Sequence, residues 1–268
     1  MIFQLAGTPT VPNVRVMELT GKHALITGGG SGIGAAIALA LAEAGAEVTI
    51  TGRRKSALKE IAAKSPRIFG QVMDVGLEES VTAGFAQAVE ARGPIAICVA
   101  NAGIAEGRAL HKTSLETWRE TMSTNLDGAF LTIREGLKTM RGLEWGRVIA
   151  VSSIAGVKGL KGAPAYSASK HGMIGLIRGL AADYSGTGLT FNALCPAYVD
   201  TDIITRNVSS ISQRAGVSEE KALDIMVALN PHRRLIAPSE IAASALYLCA
   251  KGSESVNGQA LQIAGGEV

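Results

Sequence analysis

The sequence predicts an α/β protein, a single Rossmann-type, doubly wound domain. Its parallel sheet of about seven strands should carry helices on both faces. Short β-branched runs alternate with longer Ala- and Leu-rich stretches at helical spacing from Lys22 to the C-terminus. No linker, repeat or shift in composition interrupts that rhythm, and 268 residues suffice for one large core. The residues are 47% hydrophobic, 18% charged and only 4% aromatic, so that core must be aliphatic.

The predicted strands are HALIT, EVTIT, residues 67–73, IAICV, RVIAV, LTFNAL and ALQI. Helical stretches between them imply right-handed crossovers and hence parallel pairing. Residues 1–20, with Pro9 and Pro12, show no periodicity and read as a loose leader before a domain at 21–268; Met17 is an alternative start. The first residues lack the basic n-region of a secretion signal. The longest apolar run, Ile33 to Ala42, is about half of a bilayer span. A soluble, cytoplasmic protein with no membrane partner is expected. Cys98, Cys195 and Cys249 show no metal-ligand spacing and read as reduced, buried thiols, so no metal site is expected. A net charge of +3 without a basic stripe argues against a nucleic-acid partner.

The first strand runs into GGGSGIG and then into AAIALALAEAGA, a helix ending near Gly45. Glycines let bare backbone approach a pyrophosphate while the amides of a helix N-terminus point at it. Gly28, Ser31, Gly32, Ile33 and Gly34 are therefore the candidate dinucleotide-binding turn. The end of the second strand bears on the choice of cofactor. An acidic residue there would bind the ribose 2′-hydroxyl of NAD, whereas a cation accepts the 2′-phosphate of NADP. The chain has Gly52-Arg53-Arg54, which points to NADP through Arg53, with NAD as the alternative if these arginines only coat a surface turn.

Farther along, YSASK sets Tyr166 and Lys170 at i and i+4, on one helix face. A phenol with a pKa of about 10 exchanges protons poorly at neutral pH. A neighbouring ammonium would lower that value. Ser153, at the end of RVIAV, is placed to hydrogen-bond a carbonyl oxygen beside the tyrosine. Such a trio polarises a ketone for hydride attack or takes the proton of an alcohol in reverse.

Taken together, TGGGSGIG (27–34), Asp74, NAG (101–103), Asn125 in TNLDGAF, Ser153, YSASK and CPAYVDT (195–201) resemble the short-chain dehydrogenases/reductases, over essentially all of Lys22 to Val268. The resemblance implies a catalytic set of Asn125, Ser153, Tyr166 and Lys170. Tyr166 would be the acid/base and Ser153 would orient the substrate. Lys170 would lower the tyrosine pKa and bind the nicotinamide ribose, and Asn125 would hold a relay water. It further implies that Asp74 binds adenine, Asn101 lines the cofactor floor and Thr201 meets the carboxamide. Family members mostly form tetramers through the helices carrying Asn125 and Tyr166 and through the C-terminal strand, so a homotetramer is expected.

Two positions depart from the family pattern. Pro196-Ala197 replaces Pro-Gly, and Ser31 stands where NADP-dependent members often carry a basic residue. The NPHRRL and NGQALQIAGGEV segments are similar to those of enzymes of 3-oxoacyl and 3-hydroxyacyl thioesters. Members that use acyl-carrier protein grip it with two basic residues, and here those positions are Glu144 and Thr187. A carboxylate would repel an acidic carrier, which favours a CoA thioester. Another small ketone, a sugar or a carrier-bound group are the alternatives, and a non-catalytic dinucleotide sensor is the alternative of another class. A substrate lid is expected near 202–231.

Overall fold

The computed structural model describes residues 18–228 and 230–267. Its strands are β1 (His23–Thr27), β2 (Glu47–Gly52), β3 (Ile68–Val72), β4 (Ile95–Ala100), β5 (Gly146–Val151), β6 (Leu189–Pro196) and β7 (Ala260–Ile263). They form one parallel sheet of order β3-β2-β1-β4-β5-β6-β7. The order reverses between β1 and β4, and ligands of open α/β sheets bind at the carboxyl ends of strands at such a switch.

Residues alternate across the strands, so each strand feeds two cores. On one side Ala24, Ile26, Val48, Ile50, Val99 and Val151 pack under α1 (Gly32–Glu43) and α9 (Pro238–Cys249). On the other, Leu25, Cys98, Val148 and Phe191 meet α3 (Glu78–Arg92), α5 (Gly128–Met140) and α6 (Pro164–Asp183). Both faces are covered over β1, β4, β5 and β6, which is why those strands read as near-unbroken apolar runs. The remaining helices are α2 (Lys55–Ala62), α4 (Leu115–Met122), α7 (Asp202–Ala215) and α8 (Glu219–Val227).

The packed fold begins before residue 21. Leu19 is buried in the α1 side of the core and its amide donates to the Ala44 carbonyl at 2.7 Å. Most of the expected leader, residues 1–17, lies outside the described residues. Between α4 and α5 a π-helical turn, Ser123–Asp127, carries Asn125. Such turns widen the helix locally and free a main-chain carbonyl from the regular ladder. Helices α7 and α8 close around a third, small apolar cluster of Ile204, Val208, Ala222 and Met226. Among the described residues no helix is long and apolar enough to cross a membrane, and no group of side chains is arranged to hold a metal ion.

Candidate active site

The carboxyl ends of β1, β2, β4, β5 and β6 surround a cavity of about 560 Å³. Gly28, Ser31, Gly32, Ile33, Arg53, Asp74, Asn101, Ser153, Tyr166, Lys170 and Thr201 all line it, so separate motifs meet in one space of cofactor-site size.

The glycine turn is built on two left-handed residues, Gly28 (φ 66°) and Gly32 (φ 53°), which a side chain would strain. Gly34 lies beneath the turn: a Cβ there would stand 2.5 Å from both the Gly28 carbonyl oxygen and Asn101 Nδ2. Ser31 is the N-cap of α1 but makes no side-chain cap, so the first helical amides carry no hydroxyl partner from it. A backbone cradle that tolerates no Cβ, at an uncapped helix start, fits the pyrophosphate of a dinucleotide.

Thr27 joins this turn to the next loop. Its hydroxyl accepts from the Asn101 and Ala102 amides, both at 3.0 Å, while Asn101 Nδ2 donates to the Thr27 carbonyl at 2.8 Å. Asp74 is held at the end of β3, its Oδ1 accepting from the Gly76 amide at 3.0 Å. Thr201, the N-cap residue of α7, faces Gly32 closely enough that a Cβ on the glycine would touch its methyl at 3.1 Å.

Ser153 follows β5 and is buried; its hydroxyl donates to the Pro196 carbonyl at 3.5 Å, accepts from the Ala155 amide at 3.1 Å, and stands near enough to Tyr166 to act on its phenol. Tyr166 and Lys170 share one face of α6, as their spacing predicts. Spacing alone also sets the ammonium beside the phenol and predicts a lowered tyrosine pKa. The ammonium does face the ring, yet burial dominates: it pushes Tyr166 up, and the nearby Ser153 hydroxyl pulls it back in part. Lys170 Nζ donates to the Val151 carbonyl at 2.9 Å and lies 5.8 Å from the centroid of the tyrosine ring. Lys170 is itself enclosed, and burial lowers it to about 8.

Asn125 is fully buried behind Gly103. Its Oδ1 accepts from the Ile104 amide at 2.8 Å, and its Nδ2 donates to the Ile104 carbonyl at 2.9 Å and to Ser169 Oγ at 3.1 Å. Both amide hydrogens are thus committed, and any water-holding role falls to its main-chain carbonyl in the π-helical turn. Gly103 forms the floor between this residue and the site: a Cβ on it would lie 3.6 Å from Lys170 Nζ.

The structure adds local detail at three positions. Arg54, rather than Arg53, reaches the glycine turn, its Nη2 donating to Ser31 Oγ at 3.1 Å. Arg53 is exposed at the cavity rim. The adjacent basic pair was the available signal, but which arginine turns toward Ser31 depends on the start of α2, where Arg54 is the N-cap residue. Cys195 is buried beside the site, as the sequence led one to expect, and burial pushes its thiol up to about 11, which keeps it protonated and non-nucleophilic. Ala197 takes no left-handed conformation, so the family's glycine is not needed there.

Glu144 and Thr187 do not border this cavity within the chain. They precede β5 and β6 at the opposite end of the sheet, and the Glu144 carbonyl packs on Gly188. Six residues of strand β5 separate that end from Ser153, a distance of roughly 20 Å at the usual strand rise. The charge argument against a protein carrier therefore loses its geometric basis within a single chain.

Comparison with known proteins agrees with this geometry. A family model for short chain dehydrogenase matches residues 22–211. A crystal structure of an actinorhodin polyketide ketoreductase variant with NADPH superposes with a TM-score of 0.88 at 34% identity, covering 92% of this chain and 97% of that one. The 3-oxoacyl-[acyl-carrier-protein] reductase of Aquifex aeolicus is 33% identical over 255 residues, 93% of this chain and 98% of its own. The D-beta-hydroxybutyrate dehydrogenase of Cupriavidus necator is also 33% identical over 255 residues, 93% and 99% of the respective chains. With the switch-point cavity, the glycine turn and the Ser153–Tyr166–Lys170 cluster in place, the chain belongs to the short-chain dehydrogenases, NAD(P)-dependent enzymes that interconvert ketones and secondary alcohols.

Proposed function

We propose that this enzyme reduces the 3-oxo group of an acyl thioester, with NADPH as the hydride source and Asn125, Ser153, Tyr166 and Lys170 as its working residues. One observation carries the reading: Ser153, Tyr166 and Lys170 line the same cavity as the glycine turn and Arg53. The bound nicotinamide supplies the hydride. Ser153 and Tyr166 present hydroxyl groups to one carbonyl oxygen and so stabilise the negative charge that develops on it. Tyr166, kept protonated by burial, delivers its proton to that oxygen. Lys170 holds a positive charge beside the phenolate that results and offers its remaining donors to the cofactor ribose. The Asn125 carbonyl is the next acceptor toward solvent.

Arg53 and Arg54 at the end of β2, without a carboxylate at Gly52, support NADP over NAD. The ketoreductase with NADPH and the 3-oxoacyl reductase among the relatives support the thioester. Helices α7 and α8, with their own apolar cluster, act as the substrate lid in this reading. The test is a panel of 3-oxoacyl-CoAs, carrier-bound 3-oxoacyl groups, free 3-oxo acids and sugars, each with NADPH and NADH. Turnover is expected to be fastest with a thioester and NADPH. Faster turnover of a free acid or sugar, or a preference for NADH, would overturn the assignment.

In the same reading the enzyme is a cytoplasmic homotetramer. Phe130 on α5 and Tyr247 on α9 are exposed large side chains, and Gly175 and Gly179 leave open space along α6 where a second helix can approach closely. Light scattering at micromolar concentration is expected to give four times the chain mass; a monomer mass would refute it.

A further inference from the structure

The pair Arg54–Asp202 crosses from the adenosine end of the site to the first residue of α7. Arg54 Nη2 lies 4.0 Å from Asp202 Oδ2 while the same nitrogen donates to Ser31 Oγ at 3.1 Å. The two side chains are 66% and 69% exposed, so the ion pair is weak and readily exchanged. A second groove of about 600 Å³ runs on the far side of the glycine turn and shares Ser31, Arg54, Thr201 and Asp202 with the main cavity. Arg54 thus stands at the partition, between a carboxylate on α7 and the place where a nucleotide 2′-phosphate meets the end of β2.

Those two anions are unequal. A phosphate monoester carries a charge of about −1.5 to −2 and three acceptor oxygens, against the single charge of a carboxylate. We propose that Asp202 is a negative determinant of cofactor choice: it competes with the 2′-phosphate for Arg54. A phosphate bound there draws Arg54 off Asp202 and cuts the tie between the glycine turn and the first turn of α7. NADH has no 2′-phosphate and leaves the tie intact. Asp202 therefore lowers affinity for the phosphorylated cofactor alone and makes the state of the α7 end depend on which cofactor is bound. This inference rests on the NADP reading above.

The experiment is a double-mutant cycle read by cofactor fluorescence titration. Wild type, Asp202→Asn, Arg54→Gln and the double variant are each titrated with NADPH and NADH. Asn keeps hydrogen-bonding capacity at the helix start, and any loss of helix-dipole stabilisation appears in both Arg54 backgrounds and cancels. Asp202→Asn is expected to tighten NADPH by about two- to fivefold, the range of an exposed ion pair, and to change NADH by less than that. Arg54→Gln is expected to weaken NADPH by about tenfold, as for a charge-assisted contact. The gain from Asp202→Asn should vanish once Arg54 is gone. Hydrogen exchange at the first turn of α7 should rise with NADPH and not with NADH. Equal tightening in both backgrounds, or none in wild type that prefers NADPH, would overturn the competition while sparing the cofactor reading. A wild type that binds NADH as tightly as NADPH would overturn the cofactor reading itself.

Discussion

Tyr166→Phe is expected to lower ketone turnover by at least the factor of about 10² typical of general acid–base catalysis. The substitution removes one oxygen from a partly buried ring and leaves its packing on α6 in place. Ser153 keeps its own bonds to the Pro196 carbonyl and the Ala155 amide, so the loss falls on the proton donor alone. Cofactor affinity should survive, because the glycine turn, Arg53 and Arg54 are untouched. The same cluster sets the pH dependence. Lys170 titrates near 8, and its charged form predominates below that value. Tyr166 is shifted upward and stays protonated through the neutral range. In the reductive direction kcat/KM should accordingly be level below about pH 8 and fall above it. Stopped assays across pH 6 to 10 would decide both points. Retained turnover in Tyr166→Phe removes the tyrosine from its role, and a level profile to pH 10 removes the charge of Lys170 from the rate.

Gly34→Ala should be nearly as damaging, for a steric reason. Its methyl would arrive 2.5 Å from the Gly28 carbonyl oxygen and 2.5 Å from Asn101 Nδ2. Neither atom can step aside freely, because Asn101 Nδ2 is bonded to the Thr27 carbonyl and the Asn101 amide to the Thr27 hydroxyl. Overpacking of this kind costs typically about 1–3 kcal/mol. Here the strain falls on the anion cradle itself. Weakening of both NADPH and NADH by about ten- to a hundredfold corresponds to that cost, with a lower melting temperature. Equal loss for both cofactors separates this effect from the 2′-phosphate contacts. A folded variant with unchanged affinities would show that the turn has room to spare.

Much of this was legible in the chain because the physics is local or repetitive. Strands buried on both faces must be continuously apolar, and so β1, β4, β5 and β6 stood out, while the edge strands β3 and β7 are only partly buried; the ends differ by a residue or two, as with Ile68–Val72 against the expected 67–73. Glycines at positive φ and an i, i+4 pair on a helix also declare themselves. The rest is tertiary. The committed amide of Asn125 depends on Ile104 and Ser169, which lie 21 and 44 residues away. The direction of the Lys170 ammonium is set by the Val151 carbonyl at the end of a neighbouring strand. The direction of the exposed Arg54 side chain depends on Ser31. Glu144 and Thr187 mislead for another reason: they stand just before the strands RVIAV and LTFNAL, and in a parallel sheet that order puts them at the end away from the site.

The separate apolar cluster under α7 and α8 bears on how such an enzyme changes over evolutionary time. Ile204, Val208, Ala222 and Met226 pack with one another and with Tyr198 and Leu235, apart from the two layers that flank the sheet. A substitution there can be absorbed by a handful of neighbours, with the strands and the dinucleotide floor left as they were. With α7 and α8 as the proposed lid, new substrate scope can be acquired one side chain at a time on a chassis whose hydride chemistry is already fixed.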